Sequence, residues 1–160
     1  MLQLGVSYRV EELVPHRGRM CLLDTIVGYG EDWLRATVTP RPGGAFAEES
    51  GIPAWVGIEY MAQAAAAFGG IEQVQRGDPP SIGLLIGARY YRCMQDRFEY
   101  GASLGVLVKI AMRDTEDFAA YDCRIELGRA DLGGREIAEC TLKAYRPRDL
   151  APLLAEAARD

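Results

Sequence analysis

The stretch "GIPAWVGIEYMAQAAAAFGG", residues 51–70, constrains the fold more than any other part of this chain. Pro53 suits the first turn of a helix, where its missing N–H group costs nothing. Helix-forming residues continue to about residue 75, and "RGDPPS" then ends the element. The predicted helix, about 53–75, is apolar on nearly all sides, so other elements must surround it. Its run of alanines would let one of them pack very close.

One carboxylate, Glu59, lies in the middle of this apolar segment. At helical spacing its neighbours three and four positions away are Trp55, Val56, Ala62 and Gln63, and none of them is a cation. Either the helix edge reaches water and the acid is incidental, or the acid is kept in a dry pocket for chemistry. The helical pattern alone leaves both alternatives open.

Strand-like runs flank the helix on both sides. A hairpin is predicted before it, at 22–27 and 33–39, and four strands after it, at 82–94, 102–113, 119–128 and 137–145. Alternation in "VLVKIAM" and "AECTLKAY" indicates one covered and one wetter face. A short amphipathic helix is expected at about 149–158. This order predicts an α+β fold in a single domain, 1–160, with an antiparallel sheet of about six strands curled around the long helix.

Composition limits the function classes. With 160 residues, 49% of them hydrophobic, the chain is long enough for one globular domain. The net charge of −5 argues against nonspecific nucleic-acid binding. Four cysteines without a C-x-x-C pair, and a single histidine, argue against a metal site and favour a reduced, cytoplasmic protein. We find no cofactor fingerprint, no secretory leader and no membrane span.

Two gap-free motifs resemble those of a known family. "PHRGRMCLLD", residues 15–24, is similar to the opening P-H-R-x-P-F-L-L-x-D, and "PAWVGIEYMAQ", residues 53–63, is similar to the helix start P-G-V-L-x-x-E-A-M-A-Q. Both motifs are those of hot-dog-fold 3-hydroxyacyl-acyl-carrier-protein dehydratases. The longer stretch "GIPAWVGIEYMAQA" is closer still to the ApeP-like dehydratase branch of aryl-polyene biosynthesis.

The resemblance implies a pair of hot-dog subunits with acyl tunnels at their interface. In such dehydratases a helix carboxylate from one subunit faces a histidine from the other, and no cofactor is used. Glu59 matches the carboxylate and is expected to be a general acid. The residues implied to bind substrate near it are Trp55, Val56 and Gln63 on the helix and Ala45 and Phe46 in the preceding loop. Gln63 is expected to hold Glu59 or a loop backbone group.

A cluster of basic residues follows the helix. Arg89, Arg92 and Arg97 lie in "GARYYRCMQDRF", a region that in the family lies near the tunnel mouth. The resemblance implies that an acidic acyl carrier protein docks there, steered by these charges. The alternative is an ordinary solvated strand face.

The chain departs from the family at the catalytic histidine. That histidine lies in G-H-F-P, fourteen residues before the carboxylate, and the same count from Glu59 reaches Ala45 in "GGAFAEE". The only histidine here, His16, belongs to the opening motif, where the family also has a histidine that is not the base. His16 is therefore either a packing residue or a replacement base.

Three alternatives follow for the function. The chain is one half of a heterodimeric dehydratase, supplying Glu59 while a related hot-dog partner supplies the histidine. Or it is a homodimeric dehydratase or acyl thioesterase with a shifted mechanism, in which Glu59 activates water. Or it is a noncatalytic acyl-binding subunit in which Glu59 is structural.

Overall fold

A six-stranded antiparallel sheet is the larger layer of the computed structural model, which describes residues 8–114, 118–129, 133–147 and 149–158. The outer ends of the expected 1–160 domain thus lie outside the described residues. The strands are β1 Thr25–Tyr29, β2 Trp33–Val38, β3 Ile52–Pro53, β4 Leu84–Cys93, β5 Arg97–Phe98, β6 Leu104–Arg113, β7 Phe118–Arg129 and β8 Gly133–Tyr145. The large sheet has the order β1-β2-β6-β7-β8-β4, and β3 pairs with β5 separately.

Alternation along the strands explains which face of the sheet is covered. In β2 the buried side chains are Leu34, Ala36 and Val38, and the residues between them are only half-buried. The inner face of the sheet therefore packs against the helix, as the sequence pattern predicts. The hairpin of β1 and β2 is closed by Gly30, whose N–H donates to the Trp33 carbonyl at 2.8 Å. The predicted α+β sheet of about six strands is confirmed.

The long helix α1 runs over Gly57–Arg76, directly after a 3-10 turn at Ala54–Val56. It ends at Gly77, whose φ of 84° is the left-handed conformation that glycine adopts at helix ends. The expected start near residue 53 is thus a tighter turn, and the α-helical geometry begins four residues later. A second, short helix, α2, spans Ala151–Ala157.

The N-terminal segment covers the far half of α1 at very close range. A Cβ atom built on Gly70 would lie 2.1 Å from the Leu13 carbonyl oxygen, so only glycine allows this approach. Leu13 and Val14 are themselves buried in the core. The sheet and this segment together enclose most of the apolar helix surface.

The largest run of exposed apolar side chains is on the edge strand β4, not on the helix. Leu84, Leu85, Ile86 and Tyr90 are all exposed there, and β4 pairs only with β8. A bulge between residues 89 and 92 places Tyr90 at a φ of 57° and turns the next side chain, Tyr91, toward the Ala54 carbonyl, to which its hydroxyl donates. Among the described residues, no helix is long and apolar enough to cross a membrane.

Candidate active site

Gln63 fixes the position of Glu59. Its side chain is fully buried, and its Nε2 donates to Glu59 Oε1 at 2.8 Å and to the Met20 carbonyl at 2.7 Å. Its Oε1 accepts from the Leu22 N–H at 2.9 Å. Gln63 lies one helical turn after Glu59, so its amide reaches the carboxylate. The same amide also reaches the segment of residues 15–24, called the opening segment below. Gln63 thus holds Glu59 and, at the same time, two backbone groups of a neighbouring segment.

His16 is the second contact of the same carboxylate. Its Nε2 lies 3.4 Å from Glu59 Oε1, and the side chains of the two residues are 28% and 32% exposed. Its other ring nitrogen, Nδ1, is buried without a hydrogen-bond partner in the described part of the chain. The basic group absent from the helix around Glu59 thus comes from the opening segment. Glu59 thus has two side-chain partners, and in this single chain its side chain is partly exposed.

A cavity of about 320 Å³ runs from this pair along α1. Pro15, His16 and Glu59 line its first end. Its middle is lined by apolar residues, namely Ala62, Ala65, Ala66, Ala119, Leu142 and Ala144. Its far end is lined by polar and aromatic residues, among them Glu72, Gln73, Arg113, Tyr121 and Arg146. A cavity of this volume is at the small end of the range for small-molecule sites.

The other residues expected to bind substrate lie elsewhere. Trp55, 58% exposed, packs edge-to-face on Phe46 with ring centroids 5.4 Å apart, and neither ring lines the cavity. Val56 is fully buried in the core, and Ala45 is half-buried beside Phe46. The side chain of Arg19 ties this loop to the opening segment by donating to the carbonyls of residues 43 and 44 at 2.9 and 3.2 Å.

The three arginines after the helix are all exposed but do not form one tight cluster. Arg89 and Arg92 lie on the edge strand β4, where Arg89 stacks 5.6 Å from the Tyr90 ring centre. Arg97 lies on β5 and donates to Ser50 Oγ, close to the start of α1. Docking of a carrier protein on these residues stays a prediction.

The far end of the cavity was not predicted from the sequence. Arg113, Tyr121 and Arg146 come from three different strand ends, and no local motif connects them. One signal was present: two successive glycines, Gly69 and Gly70, within a helix often mark a close approach by another group.

The curled sheet, the central helix and the carboxylate at one end of an apolar cavity define the class: the chain is an acyl-handling hot-dog protein. It belongs to the ApeP-like family, described as ApeP dehydratase, whose sequence profile matches residues 8–155. No curated protein sequence matches the chain significantly.

Solved structures agree with this assignment. The chain is similar to the dehydratase heterocomplex ApeI:P from Xenorhabdus doucetiae, with a TM-score of 0.81 and 25% identity over 92% of this chain and 97% of that one. It also has the fold of the E. coli PaaI protein from the phenylacetic acid degradation operon (TM-score 0.53, 14% identity, 78% of each chain). A Streptococcus pneumoniae hypothetical thioesterase with coenzyme A shares the fold as well (TM-score 0.53, 10% identity, 76% and 83% covered).

Replacing Gln63 by leucine should lower the free energy of unfolding by about 2–4 kcal/mol, because the Met20 carbonyl and the Leu22 N–H would lose their buried partner. Urea denaturation followed by circular dichroism measures this change. Gln73→Leu is the matched control, since among the described residues the Gln73 side chain bonds only to the exposed Ser81, and water can replace those contacts. Equal losses in the two variants would contradict the assigned role of Gln63.

Proposed function

We propose that the chain is the carboxylate-bearing subunit of a heterodimeric 3-hydroxyacyl-acyl-carrier-protein dehydratase, acting in the cytoplasm in fatty-acid-like or aryl-polyene biosynthesis. One observation carries the proposal: Glu59 lines the cavity, with Oε1 held by Gln63 and Oε2 making no hydrogen bond within the described residues. A carboxyl group with one oxygen fixed and the other open toward an apolar cavity suits proton transfer to a bound substrate.

In the proposed reaction, a base removes the α-proton of the 3-hydroxyacyl thioester while Glu59, protonated, gives its proton to the 3-hydroxyl group. The C–O bond breaks, water leaves, and the electron pair of the former C–H bond forms the double bond. The base must therefore reach the hydrogen on Cα while the acid reaches the oxygen on Cβ.

His16 does not suit the role of that base. Its Nε2 is only 3.4 Å from Glu59 Oε1, which is an ordinary contact distance and leaves no room for substrate atoms between the two groups. Its Nδ1 is buried. We assign His16 to positioning Glu59, and the base to a histidine of a related hot-dog partner.

The exposed edge strand β4 is the surface we propose for that partner. Unpaired backbone groups and the apolar side chains Leu84, Leu85 and Ile86 offer both hydrogen bonds and burial to a second sheet. The similarity to the ApeI:P dehydratase heterocomplex supports a partner that is a related but different chain.

Glu59→Gln should lower the turnover of the reconstituted heterodimer by about 10²–10⁴-fold, the usual contribution of general acid catalysis. The assay follows dehydration of a 3-hydroxyacyl-carrier-protein substrate by this chain with and without a histidine-bearing hot-dog partner. Activity is expected only in the mixture, and Glu49→Gln, in the exposed loop, should leave it unchanged.

A second candidate, a chain active by itself through Glu59 and His16, is favoured only by the contact between these two side chains. His16→Asn tests it directly. Full activity of the chain without a partner, abolished by His16→Asn, would replace the shared-site proposal by this one. Full activity of a Glu59→Gln heterodimer would refute both.

Ile86→Asp should abolish association with the partner subunit, because it places a charge in the apolar strip of β4. Met112→Asp is the matched control: its side chain is similarly exposed, 52% against 57% for Ile86, but lies on β6. Size-exclusion chromatography with light scattering measures the complex. Equal association of both variants would place the partner elsewhere.

We also propose that the carrier protein docks beside Arg89, Arg92 and Arg97. Arg92→Glu should weaken carrier binding several-fold and reduce its salt dependence, because steering by a rim charge acts mainly on the association rate. Surface plasmon resonance at several salt concentrations measures this. Arg124→Glu, on β7, should have little effect, and equal effects of the two reversals would remove the docking assignment.

A further inference from the structure

The far end of the cavity holds a guanidinium, that of Arg146, which has no anionic partner among the described residues. Arg146 directly follows β8, is half-buried and lines the cavity, and it makes no ion pair or hydrogen bond with the described residues. The nearby carboxylate of Glu72 is already bound to Arg113 at 2.7 Å. Half-buried arginines usually have a hydrogen-bonding partner, because withdrawal of the charge from water is costly.

The helix is shaped to hold this guanidinium. A Cβ atom built on Gly69 would lie 2.2 Å from Arg146 Nη2, so the group rests directly on the bare backbone of α1. Tyr121 lies beside it: burial raises the pKa of Tyr121, and the neighbouring Arg113 and Arg146 oppose that rise. The net direction is upward, so the hydroxyl of Tyr121 stays protonated and can donate. Arg146 and Tyr121 thus present donors to the same end of the cavity.

The spacing of the two polar ends matches one extended substrate chain. Glu59 and Gly69, on which Arg146 rests, are ten residues apart on α1, which at a rise of 1.5 Å per residue is about 15 Å. Between them the side chains of the lining are apolar, and Leu84 and Leu85 of the edge strand β4 belong to this lining. A hydrocarbon suits this middle section.

We infer that the cavity takes an acyl chain whose far end carries an oxygen acceptor, a carboxylate or a hydroxyl, bound by Arg146. The inference rests on the proposed function, which puts the thioester end of the same chain beside Glu59. Guanidinium groups bind carboxylates by paired, charge-assisted hydrogen bonds and bind neutral oxygen atoms more weakly.

The test uses the reconstituted heterodimer and 3-hydroxyacyl thioesters of one chain length that end in methyl, hydroxyl or carboxyl. An oxygen-bearing end should raise kcat/KM about tenfold or more over methyl, as expected for hydrogen bonds to a charged group. The ratio of the carboxyl to the hydroxyl substrate tells a charged end group from a neutral one.

Two variants should remove this preference, so that the three substrates are turned over with similar kcat/KM. Arg146→Met deletes the charge, and Gly69→Ala keeps the arginine but fills the place on which it rests. Alanine favours the helix more than glycine does, so the melting temperature of Gly69→Ala reports whether the variant is intact. Arg124→Met, on the outside of β7, is the control and should change nothing.

Binding distinguishes failure of this inference from failure of the proposed dehydratase. Calorimetry with nonreactive acyl-pantetheine amides of the three types, on the heterodimer and on its Glu59→Gln variant, needs no turnover. A binding preference for oxygen-bearing ends without any dehydration would contradict the proposed dehydratase function and support the proposed role of Arg146. Equal loss in Arg146→Met for all three ends would overturn the inference. The same amides are also measured with the pantetheine phosphorylated. A loss in Arg146→Met seen only with these phosphopantetheine amides would overturn the inference too, since Arg146 would then bind the phosphate.

Discussion

The buried amide of Gln63 connects every part of the candidate site. It is the one fully buried polar side chain among the described residues. Its hydrogen bonds are made to the Leu22 N–H, the Met20 carbonyl and the Glu59 carboxylate. It ties the opening segment, at Met20 and Leu22, to the middle of α1, and it holds Glu59 one turn away. Since a half-satisfied buried amide is costly, the segment and the helix adopt one fixed relation. That relation also sets the position of His16, which lies in the same segment.

The periodicity of the sequence was enough to predict the main layers, because alternation and the long apolar helix are local patterns. The β2 residues Leu34, Ala36 and Val38 alternate as a one-sided strand should. The two-residue strands at Ile52–Pro53 and Arg97–Phe98 were not predictable, because they depend on pairing between distant segments. The bulge at Tyr90 was not predictable either, because this tyrosine adopts a positive φ without a turn motif in the sequence.

The part of the site that lies within one sequence motif was predictable. The part formed by contacts between distant segments was not. Glu59 and Gln63 are one helical turn apart, so their contact follows from spacing alone. The contact of His16 with Glu59 joins two motifs that are far apart in the chain, and only the folded structure brings them together. Arg146 carries no motif at all, and its place on Gly69 depends on how the end of β8 crosses the helix.

The geometry around Glu59 gives a physical reason why the proposed chemistry needs a second chain. Gln63 and His16 both contact Oε1 of the carboxylate, so the chain's single histidine lies directly against the acid. Elimination needs a base at the Cα–H bond and an acid at the 3-hydroxyl group, and the count back from Glu59 to the place of the family's histidine reaches Ala45. Under the proposed mechanism this subunit therefore supplies the acid without the base. This makes activity strictly dependent on association, because the acid and the base are then never present on one chain.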